Sequence, residues 1–167
     1  DNTRRILMPP STAATLNVAA CAAQSYRLWK ELDPEFAEEC LDAAKRTYAA
    51  AKAHPEMYAP LTDKIDGGGP YGDNVVTDEF YWAACELYAA TGDETYYKDL
   101  QESSWAFDVP QDMNGGEASG FTGSFDWGHV ATLGSLSLSL YPDTMTEEEY
   151  RTYNQRLHME FWRASDN

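Results

Sequence analysis

A loop rich in glycine and in oxygen-bearing side chains is the segment whose composition most directly indicates chemistry. It reads LTDKIDGGGPYGDNVVTDEF over residues 61–80 and contains four closely spaced polar residues, Asp73, Asn74, Asp78 and Glu79. Its glycines let the backbone turn tightly and present carbonyl oxygens. Calcium in proteins takes about six to eight oxygen ligands and mixes carboxylates with backbone carbonyls. The loop therefore indicates a calcium site, although its spacing is not that of an EF-hand.

The acidic pair in this loop also has a simpler interpretation. Asp78 and Glu79 begin a predicted helix, where carboxylates offset the positive end of the helix dipole. A cation at that helix end would oppose the dipole, so it would need several anionic ligands, which this loop supplies. From the residues alone, both interpretations stay open.

A second loop offers aromatic rings that suit a sugar ligand. Residues 114–127 read NGGEASGFTGSFDW and contain Phe121, Phe125 and Trp127. Sugars stack their C–H faces on such rings, but aromatic residues beside a helix start also serve as core anchors. Tyr71 lies between Pro70 and Gly72 in the first loop, a position that favours pointing into a cleft.

The composition excludes several classes of function. The chain has 167 residues, with Lys+Arg 12 against Asp+Glu 28 and a formal charge of -16, so nucleic acid and anionic membranes are not expected partners. The motifs of serine hydrolases, zinc proteases and nucleotide-binding loops are absent. No membrane-spanning run and no signal peptide is visible. Cys21, Cys40 and Cys85 lie in apolar or helical stretches and are interpreted as buried free thiols.

Helical periodicity predicts an all-α chain of three hairpins, each pairing an inner helix with an outer one. The inner helices are apolar on most faces and cover residues 11–32, 78–90 and 127–141. The outer helices are amphipathic and begin after Asp33, at Asp93 and after Thr146, where Glu149 completes a capping box. The alternating SLSLSL at 135–140 also fits a strand, but its flanks favour helix.

The connections between these helices differ in length. Links within each hairpin are short, whereas the links between hairpins, residues 55–77 and 107–124, are long. In an antiparallel stack, the long links must lie at the end that carries the amino ends of the inner helices. Long structured loops gathered on one face usually carry function.

Three segments resemble consecutive parts of the catalytic domain of glycoside hydrolase family 9. They are PPSTAATLNVAACAAQSYRLW, GPYGDNVVTDEFYWAACELYAATGD and WGHVATLGSLSL. The resemblance implies that residues 1–167 form about half of an (α/α)6 barrel within a secreted cellulase. That enzyme would hydrolyse β-1,4-glucan such as cellulose with inversion, acting from chain ends or within chains.

The resemblance also implies where the family's functional groups lie. The catalytic base of the family, an aspartate in a DAGD-type motif, precedes the first segment, and the acid lies far downstream, so no catalytic residue is expected here. Asp78 and Glu79 match the family's calcium-binding pair, with Asp73 and Asn74 in the preceding loop. The family's further aspartate follows a tryptophan at the start of the third inner helix, where this sequence has His129, and the candidate ligand Asp126 precedes Trp127 instead. Tyr71 and Trp127, with Phe121 nearby, fall where the substrate cleft receives aromatic residues.

A second function remains open on the sequence. The chain could belong to a non-catalytic helical carbohydrate-binding or scaffold module that kept the architecture and lost the chemistry. In either case, half a barrel would leave exposed apolar sides on the first and last inner helices, residues 11–32 and 127–141. We therefore expect the remainder of the catalytic domain to be the partner of this chain.

Overall fold

The computed structural model describes residues 9–59, 72–106, 128–141 and 145–165. These residues form six α-helices, as predicted. They are α1 (Thr12–Trp29), α2 (Pro34–Ala53), α3 (Thr77–Thr91), α4 (Glu94–Gln101), α5 (Ala131–Leu140) and α6 (Glu147–Ser165). None of the helices in the described part of the chain is long and apolar enough to cross a membrane.

The ends of the first two hairpins follow the predicted capping residues. Asp33 accepts a hydrogen bond from the N–H of Phe36 (3.1 Å), and Pro34 occupies the first turn of α2. Gly92 ends α3 in the left-handed region at φ 67°, which glycine adopts without a Cβ penalty. Asp93 then caps α4 through the N–H of Thr95 at 2.8 Å.

The serine and leucine alternation in α5 is helical, as its flanks predicted. Ser135, Ser137 and Leu138 are buried, because α5 contacts both α3 and α6, whereas Leu140 at the end of the helix is exposed. Gly134 lies so close to α3 that an added Cβ would stand 3.0 Å from both the Cys85 Sγ and the Trp82 Cα. The predicted start near Trp127 was too early, because the N–H of Val130 bonds to α3 and the helix begins at Ala131.

The helices form a row of three inner and three outer elements. Inner helix α3 contacts both α1 and α5, while α2, α4 and α6 pack on α1, α3 and α5 respectively. The core lies between the two layers and includes Leu16, Tyr48, Tyr81, Leu87, Leu100, Leu138 and Tyr153. This arrangement is that of a partial (α/α)6 barrel, which confirms the predicted fold class.

The two ends of the row leave apolar faces exposed. Val18 and Leu28 on α1 are 51% and 58% exposed, and Leu140 on α5 is 73% exposed. This confirms the expected open sides of the outermost inner helices. The prediction of a buried thiol was wrong for Cys21, which lies exposed on the same side of α1, whereas Cys85 is buried.

The ends of the long links lie beside the amino ends of the inner helices. At α1, the Thr12 hydroxyl donates to the carbonyl of His54 (2.7 Å) and accepts from the N–H of Met57 (3.0 Å). At α3, the Trp105 indole N–H donates to the Thr77 hydroxyl (2.9 Å). The described ends of the links therefore lie on this face. Residues 60–71 and 107–127 lie outside the described part of the chain, so the convergence of the links themselves stays a prediction.

Candidate cation site at the amino end of α3

Two adjacent acidic residues are buried where α3 begins. Asp78 and Glu79 lie in the first turn of α3, and each is 1% exposed. The backbone N–H of Val130, just before α5, donates to Asp78 Oδ2 at 2.9 Å. The carboxyl pair therefore lies between the amino ends of two inner helices, on the face that carries the long links.

One oxygen of each carboxyl group lacks a hydrogen-bond partner among the described residues. Within the described part of the chain, Asp78 Oδ1 and Glu79 Oε2 are buried and receive no hydrogen bond. A buried acceptor of this kind costs about 1–3 kcal/mol, and more when it is charged. A role limited to offsetting the helix dipole does not explain full burial of both groups.

The electrostatics of the pair disfavour two simultaneous negative charges. Burial and the neighbouring Asp78 and Asp73 carboxyl groups raise the pKa of Glu79 well above its usual value. Burial also raises the pKa of Asp78, although the hydrogen bond from Val130 opposes this shift. The two groups can both be ionised only if a cation compensates them, since like charges at close range cannot otherwise coexist in a buried site.

The other predicted ligands are less tightly placed. Asp73 is half-buried, and its Oδ1 accepts the N–H of Val75 at 2.9 Å, which leaves its second oxygen available. Asn74 is exposed. In the described ranges, no group of three or more His, Cys, Asp or Glu side chains is arranged to hold a metal ion. The described residues thus supply a buried carboxylate pair but not a complete coordination shell.

Four predicted site residues lie outside the described residues. They are the candidate ligand Asp126 and the candidate substrate-binding residues Tyr71, Phe121 and Trp127. Their roles remain predictions.

A second buried charged cluster was not foreseen. Glu86, two turns further along α3, is fully buried and forms an ion pair with Arg27 of α1. Arg27 also donates to the Glu86 backbone carbonyl (2.9 Å), and its guanidinium lies 4.3 Å from the ring centroid of Tyr141. The Trp82 indole N–H (3.1 Å) and the Ser137 hydroxyl donate to Glu86 Oε1. The available signal was Arg27 as the single charged residue of α1, and Glu86 as the single charged residue of α3 after its first turn.

Comparison with known proteins identifies the family of this barrel section. The model of glycosyl hydrolase family 9 matches residues 1–166. A cellulose 1,4-beta-cellobiosidase of Acetivibrio thermocellus is 50% identical over 143 residues, which are 81% of this chain and 16% of that protein. Endoglucanase C of Cellulomonas fimi is 44% identical over 146 residues, which are 87% of this chain and 12% of that protein.

A solved structure agrees with the sequence relationship. The family 9 enzyme structure from Bacteroides ovatus superposes with a TM-score of 0.76 at 31% identity, covering 99% of this chain and 29% of that one. The fold is thus shared with a helical glycoside hydrolase. The chain belongs to glycosyl hydrolase family 9, and it spans less than a third of each of these relatives.

Proposed function

We propose that this chain is a section of the catalytic domain of a secreted β-1,4-glucan hydrolase, referred to below as the parent enzyme. The observation that carries the proposal is the family match over residues 1–166, together with 50% identity to a protein named as a cellobiosidase. The aromatic residues and the negative charge of the chain fit a neutral polysaccharide. In this proposal the catalytic carboxylates lie in other segments of the parent enzyme.

The buried acidic pair does not have the geometry of an inverting catalytic pair. Inversion needs two carboxyl groups about 6.5–9.5 Å apart, on opposite sides of the scissile bond with a water between them. Asp78 and Glu79 are instead adjacent in sequence, and both are shielded from solvent. A structural role for this pair is therefore the better proposal.

That structural role is to hold a calcium ion. Asp78 Oδ1 and Glu79 Oε2 are the buried oxygens that fit it, and Asp73, Asn74 and Asp126 are the proposed further ligands. Calcium would supply positive charge that compensates the two carboxylates. Because Asp78 also bonds to Val130, the ion would stabilise the junction of α3 with α5 and the loop face above it.

Hydrolysis is tested by expressing the longest reading frame that contains this sequence. Reducing sugar released from cellulose and soluble β-glucan measures activity, and NMR of the first-formed anomer measures inversion. We expect hydrolysis that yields the α-anomer. Binding of glucan without any hydrolysis would instead favour the non-catalytic carbohydrate-binding module.

Calcium is tested by thermal unfolding of the same polypeptide with and without a chelator. An ion present at 100 times its Kd stabilises by about 2.7 kcal/mol, so the chelator should lower the melting temperature measurably. Glu79→Gln should remove this dependence, whereas Asp42→Asn, on the exposed side of α2, should retain it. An unchanged melting temperature after chelation would refute the site.

A further inference from the structure

A cavity of about 440 Å³ lies between α2, α3 and α4, apart from the acidic pair. Its volume is within the range of small-ligand pockets, about 300–1,000 Å³. Thr77 and Phe80 of α3 line it on one side, and Lys52 of α2 and Asp99 of α4 line it on the other. Because Thr77 and Phe80 flank the acidic pair in sequence, the cavity lies near the face that carries the long links.

The apolar part of this cavity is a fixed aromatic group. Tyr48 and Phe80 both line it, and their rings meet edge to face with centroids 6.2 Å apart. The Tyr48 ring makes a second edge-to-face contact with the Tyr96 ring, with centroids 5.5 Å apart. Phe80 is only partly buried, so it offers apolar ring surface at the cavity wall.

The polar part is equally well ordered. Asp99 Oδ2 accepts hydrogen bonds from the Tyr48 hydroxyl (2.8 Å) and from Lys52 Nζ (2.7 Å), and Asp99 Oδ1 accepts from the same ammonium at 2.9 Å. A carboxylate has about four acceptor sites and an ammonium has three donors. Both groups therefore keep hydrogen-bonding capacity for a ligand.

The charges of the lining residues select the class of ligand. Each acidic group at the cavity is paired with a lysine, Asp99 with Lys52 at 2.7 Å and Glu102 with Lys98 at 3.7 Å. Because these charges compensate one another, the cavity offers no unpaired charge to an ionic ligand, and a neutral ligand fits it better. Hydroxyl groups both donate and accept hydrogen bonds, and the C–H face of a pyranose suits an aromatic wall.

We propose that this cavity is an auxiliary binding site for a neutral sugar, one or two pyranose units in length. Identification of the sugar as part of a β-1,4-glucan rests on the proposed function. The site would hold product or a free chain end beside the long-link face, and it takes no part in bond cleavage.

The Trp105 indole provides a local reporter of this site. Its N–H donates to the Thr77 hydroxyl at 2.9 Å, and Thr77 lines the cavity. The parent enzyme labelled with ¹⁵N-tryptophan is titrated with cellobiose and, separately, with glucose 6-phosphate, and the Trp105 signal is assigned with Trp105→Phe. We expect a saturable shift of that signal with cellobiose and none with the phosphate.

A matched pair of lysine variants locates the binding. Lys52→Met removes the ammonium but keeps the apolar stem, and it should weaken cellobiose binding about tenfold or more, as expected for loss of a charged hydrogen bond. Lys45→Met lies on the same side of α2 two turns earlier, outside the cavity, and should leave the affinity unchanged. Equal weakening by both variants, or by neither, would overturn the proposal.

The outcome is separable from that of the proposed function. Hydrolysis of β-glucan with no saturable Trp105 shift would overturn the auxiliary site alone. A saturable shift that is lost in Lys52→Met, in a polypeptide without hydrolytic activity, would support the auxiliary site and refute the enzyme.

Discussion

The buried ion pair between Arg27 and Glu86 provides a quantitative test of how the inner helices are held together. Replacing Arg27 by methionine keeps the apolar stem and removes the guanidinium. The side chains of Arg27 and Glu86 are 4% and 0% exposed, so water cannot solvate the Glu86 carboxylate after the guanidinium is removed. Breaking a buried pair by removing one partner costs about 3–5 kcal/mol, because the remaining charge is left uncompensated.

The structure refines this magnitude. Glu86 Oε1 would keep the hydrogen bonds from Trp82 and Ser137, which lowers the cost toward the smaller value. Arg27 would also lose its bond to the Glu86 carbonyl and its contact with the Tyr141 ring, and a desolvated cation–π contact contributes about 2 kcal/mol. We expect a loss of about 4 kcal/mol in the free energy of unfolding.

The assay is urea unfolding of the parent enzyme followed by circular dichroism. The double variant Arg27→Met with Glu86→Leu should recover most of the loss, since an apolar pair of similar volume replaces both charges. The control is Arg46→Met, which breaks an ion pair with Asp42 whose side chains are 72% and 66% exposed. It should cost less than about 0.5 kcal/mol. A loss below about 1 kcal/mol for Arg27→Met, or no recovery in the double variant, would refute the reasoning.

Substitutions at three further positions test local features of the fold, each by the same urea unfolding measurement. Gly134→Ala should cost about 1–3 kcal/mol in unfolding free energy, because its Cβ would stand 3.0 Å from the Trp82 backbone, which cannot move aside as a flexible side chain can. A loss under about 0.5 kcal/mol would contradict the close approach of α3 and α5. Gly92→Ala should cost about 1–2 kcal/mol at φ 67°, and Gly92→Asn less, since asparagine tolerates that region; equal losses would contradict a conformational cause. Thr12→Val should cost about 1–3 kcal/mol because it deprives the link after α2 of a hydrogen-bond donor and an acceptor, and retention of full stability would show that this contact does not hold the link.

The local structure was predictable where short-range physics decides it. Asp33 and Asp93 cap helices because their side chains accept N–H groups two or three residues ahead, an interaction that the sequence contains in full. Gly92 ends α3 for an equally local reason. By contrast, the exposure of Cys21 depends on which elements pack beside α1, and no local pattern encodes that.

The candidate site was predictable only in part. The clustering of Asp78 and Glu79 with loop oxygens is visible in the sequence, but their burial follows from packing of α3 against α5. The bond from Val130 to Asp78 joins residues 52 positions apart, and the Arg27 bonds to Glu86 span 59. Such pairings need the tertiary fold, so neither helical periodicity nor residue spacing could predict them.

The contrast between the two acidic sites on α3 is the physical argument for a cation. Glu86 and the Asp78–Glu79 pair are almost equally buried on one helix. Glu86 has a guanidinium and two further side-chain donors. The pair has one donor from outside, the Val130 N–H, and keeps two orphaned oxygens among the described residues. Two buried carboxylates without such donors would destabilise the same helix, which is the reason for proposing a divalent cation at the pair.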